Sequence, residues 1–177
     1  MQEKSKVARF EQTLLPHLGA AYNLARWLLR NPADAEDVVQ EAYLRAFRFF
    51  GGYHGGDSRA WLLKIVRNTA YTWLQQNRSV EFAELLDDEI EAIEDDALDP
   101  ETLMIQTASV EALRKALDEL PIEFREIVIL REFEGHSYKE IATIAEIPMG
   151  TVMSRLARAR KRLQERVSSF VNEGVSN

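Results

Sequence analysis

Apolar residues recur at helical spacing through the first part of this 177-residue chain. Leucines and alanines three and four positions apart predict a helix that ends near residue 31. Its apolar members are Leu14, Leu15, Leu18, Ala21, Tyr22, Ala25, Leu28 and Leu29. Asn31 is suited to cap the next helix, and Pro32 to occupy its first turn. The pattern therefore predicts two consecutive helices at the start of the chain.

The second predicted helix is "PADAEDVVQEAYLRAFRFF", which starts at Pro32. Its acidic first turn complements the positive end of the helix dipole. Its apolar surface is predicted to consist of Val38, Val39, Ala42, Leu44, Ala46 and Phe47. The stretch "GGYHGGD" then interrupts the pattern with four glycines, which predicts a tight or flexible loop.

A third helix, "SRAWLLKIVRNTAYTWLQQNR", follows the loop, and Asp57 or Ser58 can cap it. One side gathers the apolar Leu62, Ile65, Val66 and Trp73 together with Thr69. The opposite side carries cations, amides and an aromatic ring, namely Lys64, Arg67, Asn68, Tyr71, Gln75 and Arg78. A solvated helix face is the simpler interpretation of that side, and a surface for single-stranded nucleic acid is the alternative.

The second half predicts a helix-turn-helix. Helices ending at Pro121 and Gly135 precede "HSYKEIATIAEIPMGTVMSRLARARKRL". Ser137 followed three residues later by Glu140 is a capping box, which opens a short helix with Ile141, Ala142, Ile144 and Ala145 on its apolar side. "EIPMG" ends that helix, and another begins at once, as in a helix-turn-helix.

The last helix has two distinct faces. Val152, Leu156, Ala159 and Leu163 are predicted to pack on the domain. The exposed face is predicted to read duplex DNA in the major groove, through Thr151, Ser154, Arg155, Arg158 and Arg162. Arg160 and Lys161 are predicted to point towards flanking phosphates or solvent. The alternative is that basic residues only complement the helix dipole.

Charge divides the chain into three parts. The formal net charge is −7, yet residues 81–105 alone carry eleven acidic and no basic residues. Such a run repels itself and resists compaction, so it is predicted to be a linker. The predicted fold is all-α, with two small helical domains at 1–80 and 106–177 joined by an acidic linker at 81–105.

Composition argues against an enzyme. The chain has no cysteine, and its three histidines, His17, His54 and His136, lack metal-ligand spacing. We predict no catalytic residue, metal, cofactor or small-molecule substrate. The N-terminus lacks a signal-peptide pattern, and no apolar run is long enough to span a bilayer, so the protein is expected in the cytoplasm and not inserted in a membrane.

Three segments in this order resemble the extracytoplasmic-function (ECF) sigma factors of bacterial RNA polymerase. "DAEDVVQEAYLRAF" (34–47) is similar to their region 2.2, and "DSRAWLLKIVRNTAYTWLQQNR" (57–78) to regions 2.3 and 2.4. "LDELPIEFREIVILREFEGHSYKEIATIAEIPMGTVMSRLARARKRL" (117–163) is similar to region 4. The resemblance covers nearly all of residues 8–168.

The resemblance implies a role for each segment. The 34–47 helix is expected to dock on the clamp helices of the polymerase β′ subunit, through Asp34, Glu36, Asp37, Gln40 and Glu41. The glycine-rich loop and the third helix are expected to hold the melted −10 element of promoter DNA, a flipped base included. The residues are Tyr53, His54, Gly55, Asp57, Ser58, Lys64, Arg67, Asn68 and Tyr71.

The remaining segments have implied partners too. The helix-turn-helix is expected to read the −35 element near the polymerase β flap. The linker is expected to thread through the polymerase, either as a mimic of RNA or as a solvated spacer. Members of this family are commonly held inactive by an anti-sigma factor. Two other functions stay open at this point, a helix-turn-helix transcriptional regulator and a sigma-mimicking decoy.

Overall fold

The computed structural model describes residues 2–77 and 110–175. The N-terminal domain contains four α-helices and two 3₁₀ turns, at Leu15–His17 and Phe50–Gly52. The helices are α1 (Gln2–Leu14), α2 (Leu18–Leu29), α3 (Pro32–Phe49) and α4 (Ser58–Gln76). The predicted linker at 81–105 lies outside the described residues.

The C-terminal domain is also helical. Its helices are α5 (Val110–Glu119), α6 (Ile122–Val128), α7 (Tyr138–Ala145) and α8 (Met149–Val175). A π-helical turn, Ile129–Phe133, extends α6, and Gly135 follows it with φ +71°. The all-α prediction is confirmed for the described residues.

Local capping signals fix where the helices begin. Asn31 accepts a hydrogen bond from the backbone N–H of Asp34, and Asp57 accepts one from that of Ala60 at 3.0 Å. At α7, both hydrogen bonds of the Ser137–Glu140 capping box are present. All three predicted caps are confirmed, because each depends on residues only three positions apart.

The first predicted helix is broken in the structure. Pro16 lies in the 3₁₀ turn between α1 and α2, where its missing N–H cannot continue an α-helical ladder. As a result Leu15 and Leu18 are 49% and 46% exposed instead of buried. The prediction that they belong to one apolar stripe with Leu14 and Leu28 was wrong.

Each domain has a core of aliphatic residues. Leu24, Leu28 and Leu62 are fully buried in the N-terminal domain, and Ile127, Ile144 and Leu156 in the C-terminal domain. Buried apolar side chains of this size each contribute about 1.5–3 kcal/mol. The two cores belong to one continuous cluster, since α4 packs on α7 and α2 packs on α6. The helices that carry the predicted −10 residues therefore meet the helix-turn-helix domain directly.

Candidate nucleic-acid interface

The glycine-rich loop is shaped by backbone conformation. Gly55 and Gly56 have φ of +96° and +90°, a region that other residues adopt only with strain. The Tyr53 hydroxyl donates to the carbonyl of Gly56 at 3.0 Å, which closes the loop on itself. His54, Gly55 and Asp57 are exposed, while Tyr53 and Ser58 are partly buried. The loop thus presents a short polar surface at the N-terminus of α4.

An aromatic cluster supports the loop from below. The Tyr53 ring stacks on Phe50 with a centroid distance of 5.7 Å and lies 5.3 Å from Trp61. Ser58 contacts His17, with 2.9 Å between Oγ and Nε2. Burial, and then the nearby Arg59 charge, lower the pKa of His17. These contacts fix the position of Tyr53 and Ser58 on the domain.

The polar side of α4 is partly covered by the C-terminal domain, although Gln75 is exposed. We call Lys64, Arg67, Asn68 and Tyr71 the strand face. Arg67 donates from Nε and Nη2 to the two carboxylate oxygens of Glu126 on α6, at 3.0 and 3.2 Å. The Glu126 side chain is fully buried, and that of Arg67 is 14% exposed. The interpretation of this helix side as a solvated surface was therefore wrong for Arg67, which the C-terminal domain covers, whereas Gln75 is exposed and Arg78 lies outside the described residues.

The rest of the strand face meets the same domain. Asn68 donates to Glu146 at the end of α7 at 3.1 Å, and the Lys64 ammonium lies 3.4 Å from the same carboxylate oxygen. The Arg67 guanidinium lies over the Tyr71 ring at 3.9 Å. Burial raises the pKa of Tyr71 well above its ordinary value. All four predicted residues are therefore brought together, but at a contact between domains.

The charges across this contact are complementary. Burial opposes the charged form of Arg67, but Glu126 outweighs it and holds the pKa of Arg67 above its ordinary value. The hydrogen bond from Asn68, reinforced by the Lys64 charge, lowers the pKa of Glu146. Bases of the N-terminal domain thus pair with acids of the C-terminal domain.

The predicted polymerase-binding residues form an exposed patch on α3. Glu36, Asp37, Gln40 and Glu41 are exposed, and Asp34 is partly buried beside its cap. Glu41 accepts a hydrogen bond from Arg45 at 3.2 Å, one helical turn later. The structure therefore keeps these five polar residues accessible on one helix.

Leu44 belongs to that patch. It was predicted to lie on the buried side of the helix, but it is 62% exposed, so this prediction was wrong. Leu44 follows Asp37 by seven residues and Gln40 by four, which places all three on one helix face. The spacing alone could have identified this exposed leucine as part of the candidate docking surface.

The helix-turn-helix has the predicted packing face. Val152, Leu156, Ala159 and Leu163 of α8 are buried. The tight turn before α8 uses Glu146, which has a positive φ of 56°. The packing prediction for α8 is confirmed, and it fixes which side of the helix remains available.

The predicted duplex-reading residues differ in their surroundings. We call Thr151, Ser154, Arg155, Arg158 and Arg162 the duplex face. The side chain of Arg155 is only 13% exposed, with Nη1 3.8 Å from Glu123, and the Arg162 guanidinium lies over the Phe124 ring at 4.8 Å. Thr151, Ser154 and Arg158 are partly exposed. Two of the five residues therefore lie against α6 of their own domain.

Arg160 has a different place from the predicted one. It is only 6% exposed, and its Nε donates to Glu132 at 2.6 Å. The prediction that it points towards phosphates or solvent was wrong, whereas Lys161 is exposed as predicted. A buried, hydrogen-bonded arginine of this kind supports the packing of α8 on the π-helical turn.

Two methionines at the start of α8 are exposed apolar residues. Met149 and Met153 are 47% and 40% exposed and lie one turn apart, beside Gly150 and Ser154. Neither methionine is one of the residues predicted to form the packing face of α8. This is the sequence signal that could have identified both as exposed apolar residues. They enlarge the accessible N-terminal end of the helix.

The described residues contain neither a candidate metal site nor a candidate membrane span. Within residues 2–77 and 110–175, no three histidine, aspartate or glutamate side chains are grouped so that they could hold a metal ion. No helix in the part of the chain that the structure describes is long and apolar enough to cross a bilayer.

The chain matches two protein-family models. Residues 14–80 match Sigma-70 region 2, and residues 110–163 match Sigma-70, region 4. The first contains α3, the loop and α4, and the second contains the helix-turn-helix. Both candidate DNA-binding faces therefore lie inside the matched segments.

Similar proteins agree with these matches. The chain is 30% identical over 171 residues to the ECF RNA polymerase sigma factor SigE of Mycolicibacterium smegmatis, covering 97% of this chain and 66% of that protein's length. It is 34% identical over 145 residues to the ECF RNA polymerase sigma-E factor of Escherichia coli, covering 78% and 76%. It also resembles the sigma factor RpoE of Bartonella quintana, solved with the anti-sigma factor NepR. That similarity has a TM-score of 0.68 and 32% identity and covers 90% of this chain and 97% of that one.

Proposed function

Because the chain belongs to the ECF family of bacterial RNA polymerase sigma factors, we propose that it directs promoter-specific initiation through three surfaces. One binds core polymerase, and the other two bind promoter DNA. Sigma factors are non-catalytic, so each surface acts by recognition.

The polymerase-binding surface is the exposed patch on α3. Asp34, Glu36, Asp37, Gln40 and Glu41 dock on the β′ clamp helices, and Leu44 adds an apolar contact among them. Mixed patches of this kind, with an apolar residue surrounded by charged ones, are typical of protein interfaces. The acidic charge also excludes DNA from this side of the domain.

The melted −10 strand binds the loop and the strand face. Tyr53, His54, Gly55, Asp57 and Ser58 surround the flipped base, since the left-handed glycines keep the loop free of side chains that would block close approach. Lys64 and Arg67 bind phosphates, while Asn68 and Tyr71 contact bases. This mode of binding requires α4 to separate from α6 and α7.

The −35 element binds the duplex face of α8 as a double helix. Arg158 and Ser154 reach base edges, and Thr151 lies at the N-terminal end of the helix, where phosphates are favoured. Arg155 and Arg162 approach the backbone from the side of α6. The C-terminal domain packs against the β flap of the polymerase, which holds α8 over the promoter.

The observation that carries the proposal is the order of three accessible features, namely the α3 patch, the glycine loop and the helix-turn-helix. We would test it by transcribing genomic fragments with core polymerase and this chain, and by sequencing the RNA 5′ ends. We expect initiation at a set of promoters that share −10 and −35 motifs.

A matched pair of variants tests whether the α3 patch binds core polymerase. Asp37→Ala with Gln40→Ala should abolish binding to core polymerase, whereas the exposed acid Glu11 on α1 can be changed to alanine without effect. No initiation by the wild-type chain, combined with tight specific duplex binding in the absence of polymerase, would indicate a helix-turn-helix regulator instead. Binding of an anti-sigma factor without any transcription would indicate a decoy.

A cognate anti-sigma factor is a further expected partner. The support is the similarity to the Bartonella quintana RpoE, which was solved with NepR. Co-purification with a co-expressed neighbouring gene product, followed by loss of transcription when that product is added, would test this partner.

A further inference from the structure

The strand face of α4 and the acids of the C-terminal domain form a closed arrangement, defined here by the contacts of α4 with α6 and α7. Its centre is the bidentate hydrogen bonding between Arg67 and Glu126, both of which lie in the domain contact. Around it, Asn68 and Lys64 share the carboxylate of Glu146. Every residue of the strand face is therefore occupied by its own chain.

A second group of contacts holds the domains together through Arg125, the residue of α6 next to Glu126. Arg125 is fully buried and donates from Nε to the carbonyl of Trp27 at 2.7 Å and from Nη2 to that of Leu28 at 3.1 Å. These carbonyls lie at the C-terminal end of α2, where a cation is favoured. Arg125 and Glu126 are neighbours in sequence and bind two different helices of the N-terminal domain. These two residues therefore fix the position of α6 against both α2 and α4, in addition to matching the charges across the domain contact.

A third contact extends the same pattern. Arg59 at the start of α4 donates to the Glu134 carboxylate at 2.8 Å, and the Trp27 and Phe133 rings lie 6.2 Å apart. In each side-chain ion pair between the domains that involves α4, the base belongs to the N-terminal domain and the acid to the C-terminal domain. This charge distribution is the one that a nucleic-acid strand would present to the same residues.

We propose that the C-terminal domain occupies the −10 strand face by charge mimicry, with Glu126 at the position of a backbone phosphate and Glu146 at the position of its neighbour. Arginine binds carboxylate and phosphate through the same two-pronged geometry, so Arg67 can hold only one of them at a time. The melted strand and the closed arrangement therefore compete, and the free chain binds single-stranded DNA weakly. The statement that the competing ligand is the melted −10 strand rests on the proposed function. The closed arrangement itself rests only on the contacts between the two domains.

The first experiment measures closure in the full chain. Glu126→Gln keeps the side-chain size but removes the charge that pairs with Arg67, so the variant should open and show a larger radius of gyration by small-angle X-ray scattering. Glu119→Gln is the matched control, because it removes the same charge from an exposed residue that pairs with Arg166 inside the C-terminal domain. It should keep the wild-type radius.

The second experiment measures competition with a fluorescein-labelled oligodeoxythymidine. Glu126→Gln should bind this probe about tenfold more tightly than wild type, and Glu119→Gln should not, which separates opening from the change in net charge. The double variant Arg67→Gln with Glu126→Gln should be as open as the single variant. It should lose the gain in DNA affinity, because it lacks the arginine side chain that is proposed to bind the phosphate.

The outcomes distinguish closure from nucleic-acid binding. A wild-type radius of gyration larger than the closed arrangement allows would overturn closure in solution, whatever the result of transcription. An unchanged radius for Glu126→Gln would overturn the Arg67–Glu126 pair as the contact that decides between the closed and the open chain. A larger radius without a gain in probe binding would overturn the mimicry and also remove the strand face from the proposed function. Equal gains for Glu119→Gln and Glu126→Gln would assign the effect to net charge and equally overturn the proposal.

Discussion

The strand face of α4 and the duplex face of α8 are both rich in cations, but they are neutralised in different ways. Arg67 of the strand face is paired with Glu126 of the other domain, whereas Arg155 of the duplex face lies near Glu123 of its own domain. Domain separation would change the first pairing and leave the second intact. Under the proposed function, the strand face would therefore become available only on domain separation, and the duplex face is arranged in advance.

This difference has a consequence for regulation. Under the proposed function, a duplex face that is always formed would bind the −35 element as soon as the polymerase positions it. A strand face that is covered until the domains separate is available only after a partner supplies the energy of opening. If the proposed mimicry holds, control of initiation is expected to depend on α4 and its contact with α6.

The largest expected effect concerns the arginine that holds the covered face in place. Arg125→Met keeps most of the side-chain volume but leaves the buried carbonyls of Trp27, Leu28 and Leu120 without their donor. We expect the free energy of unfolding to fall by about 3 kcal/mol, because each unsatisfied buried group costs about 1–3 kcal/mol. Urea denaturation followed by circular dichroism measures this change.

The control for Arg125 is an exposed arginine in the same domain. Arg166→Met removes a cation whose side chain is 60% exposed and pairs with Glu119. Its expected cost is below about 0.5 kcal/mol. Similar losses for the two variants would contradict a structural role for the domain contact.

The next effect separates two neighbouring cations of α8. Arg160→Met should cost about 2 kcal/mol of unfolding free energy, since it leaves Glu132 without its buried partner. Lys161→Met, at an exposed position, should change stability by less than about 0.5 kcal/mol. Thermal unfolding of both variants gives the comparison, and an Arg160→Met variant as stable as Lys161→Met would contradict a structural role for the buried arginine.

Short-range signals in the sequence predicted much of this fold. The caps at Asn31, Asp57 and Ser137 depend on side chains and backbone groups three residues apart, so periodicity and residue type are sufficient to find them. The helix-turn-helix and the buried stripe of α8 follow from the same kind of pattern. The sequence prediction failed at Pro16, because the break that this proline causes between α1 and α2 was not predicted.

Long-range contacts could not be predicted in the same way. Arg125 and Glu126 are charged residues inside an apolar helix, and nothing within their segment indicates that both are buried against another domain. Arg160 was misplaced for the same reason, since its partner Glu132 lies 28 residues away. Helical spacing identifies a face of a helix, but it does not identify what covers that face.

The third largest expected effect concerns the contribution of the duplex face to initiation. Arg158→Ala should lower initiation at promoters that depend on the −35 element about tenfold, in line with about 1–3 kcal/mol for a bidentate contact with a base. Lys161→Ala should have a much smaller effect, although it removes the same charge three residues away. Run-off transcription measures both, and circular dichroism shows whether the fold is kept. Equal losses would indicate a non-specific basic patch.

A fourth, smaller effect is expected from the backbone conformation of the glycine-rich loop. Gly55→Ala meets no neighbouring atom within 4 Å, so its cost arises only from the positive φ of 96° and should be about 1 kcal/mol. The altered loop should reduce formation of the open promoter complex several-fold without changing duplex binding. Permanganate footprinting of the melted region measures this.

Gly51 provides the matched control for the loop. It also has no atom within 4 Å of an added Cβ, but its φ is not positive, so Gly51→Ala should leave promoter melting unchanged. If both alanine variants melt the promoter as the wild type does, the left-handed backbone of the loop is not needed for strand capture.

The smallest expected effect lies in the cap at the start of α7, the first helix of the helix-turn-helix. The hydrogen bond from His136, followed by those from Ser137, lowers the pKa of Glu140 to about 2. A carboxylate with a lowered pKa contributes stability that is fully present above its ordinary pKa and is lost as the pH falls towards 2. Because the Glu140 side chain is 37% exposed, solvent screening reduces this contribution to about 1 kcal/mol.

Glu140→Gln should therefore lower stability at pH 6 and remove part of the loss between pH 5 and pH 2. Urea denaturation across that range measures the slope of stability against pH. Glu165→Gln, on an exposed position of α8, is the control and should keep the wild-type slope. An unchanged slope in Glu140→Gln would show that the His136–Glu140 contact does not stabilise the start of α7, and that helix would then be held by its apolar packing.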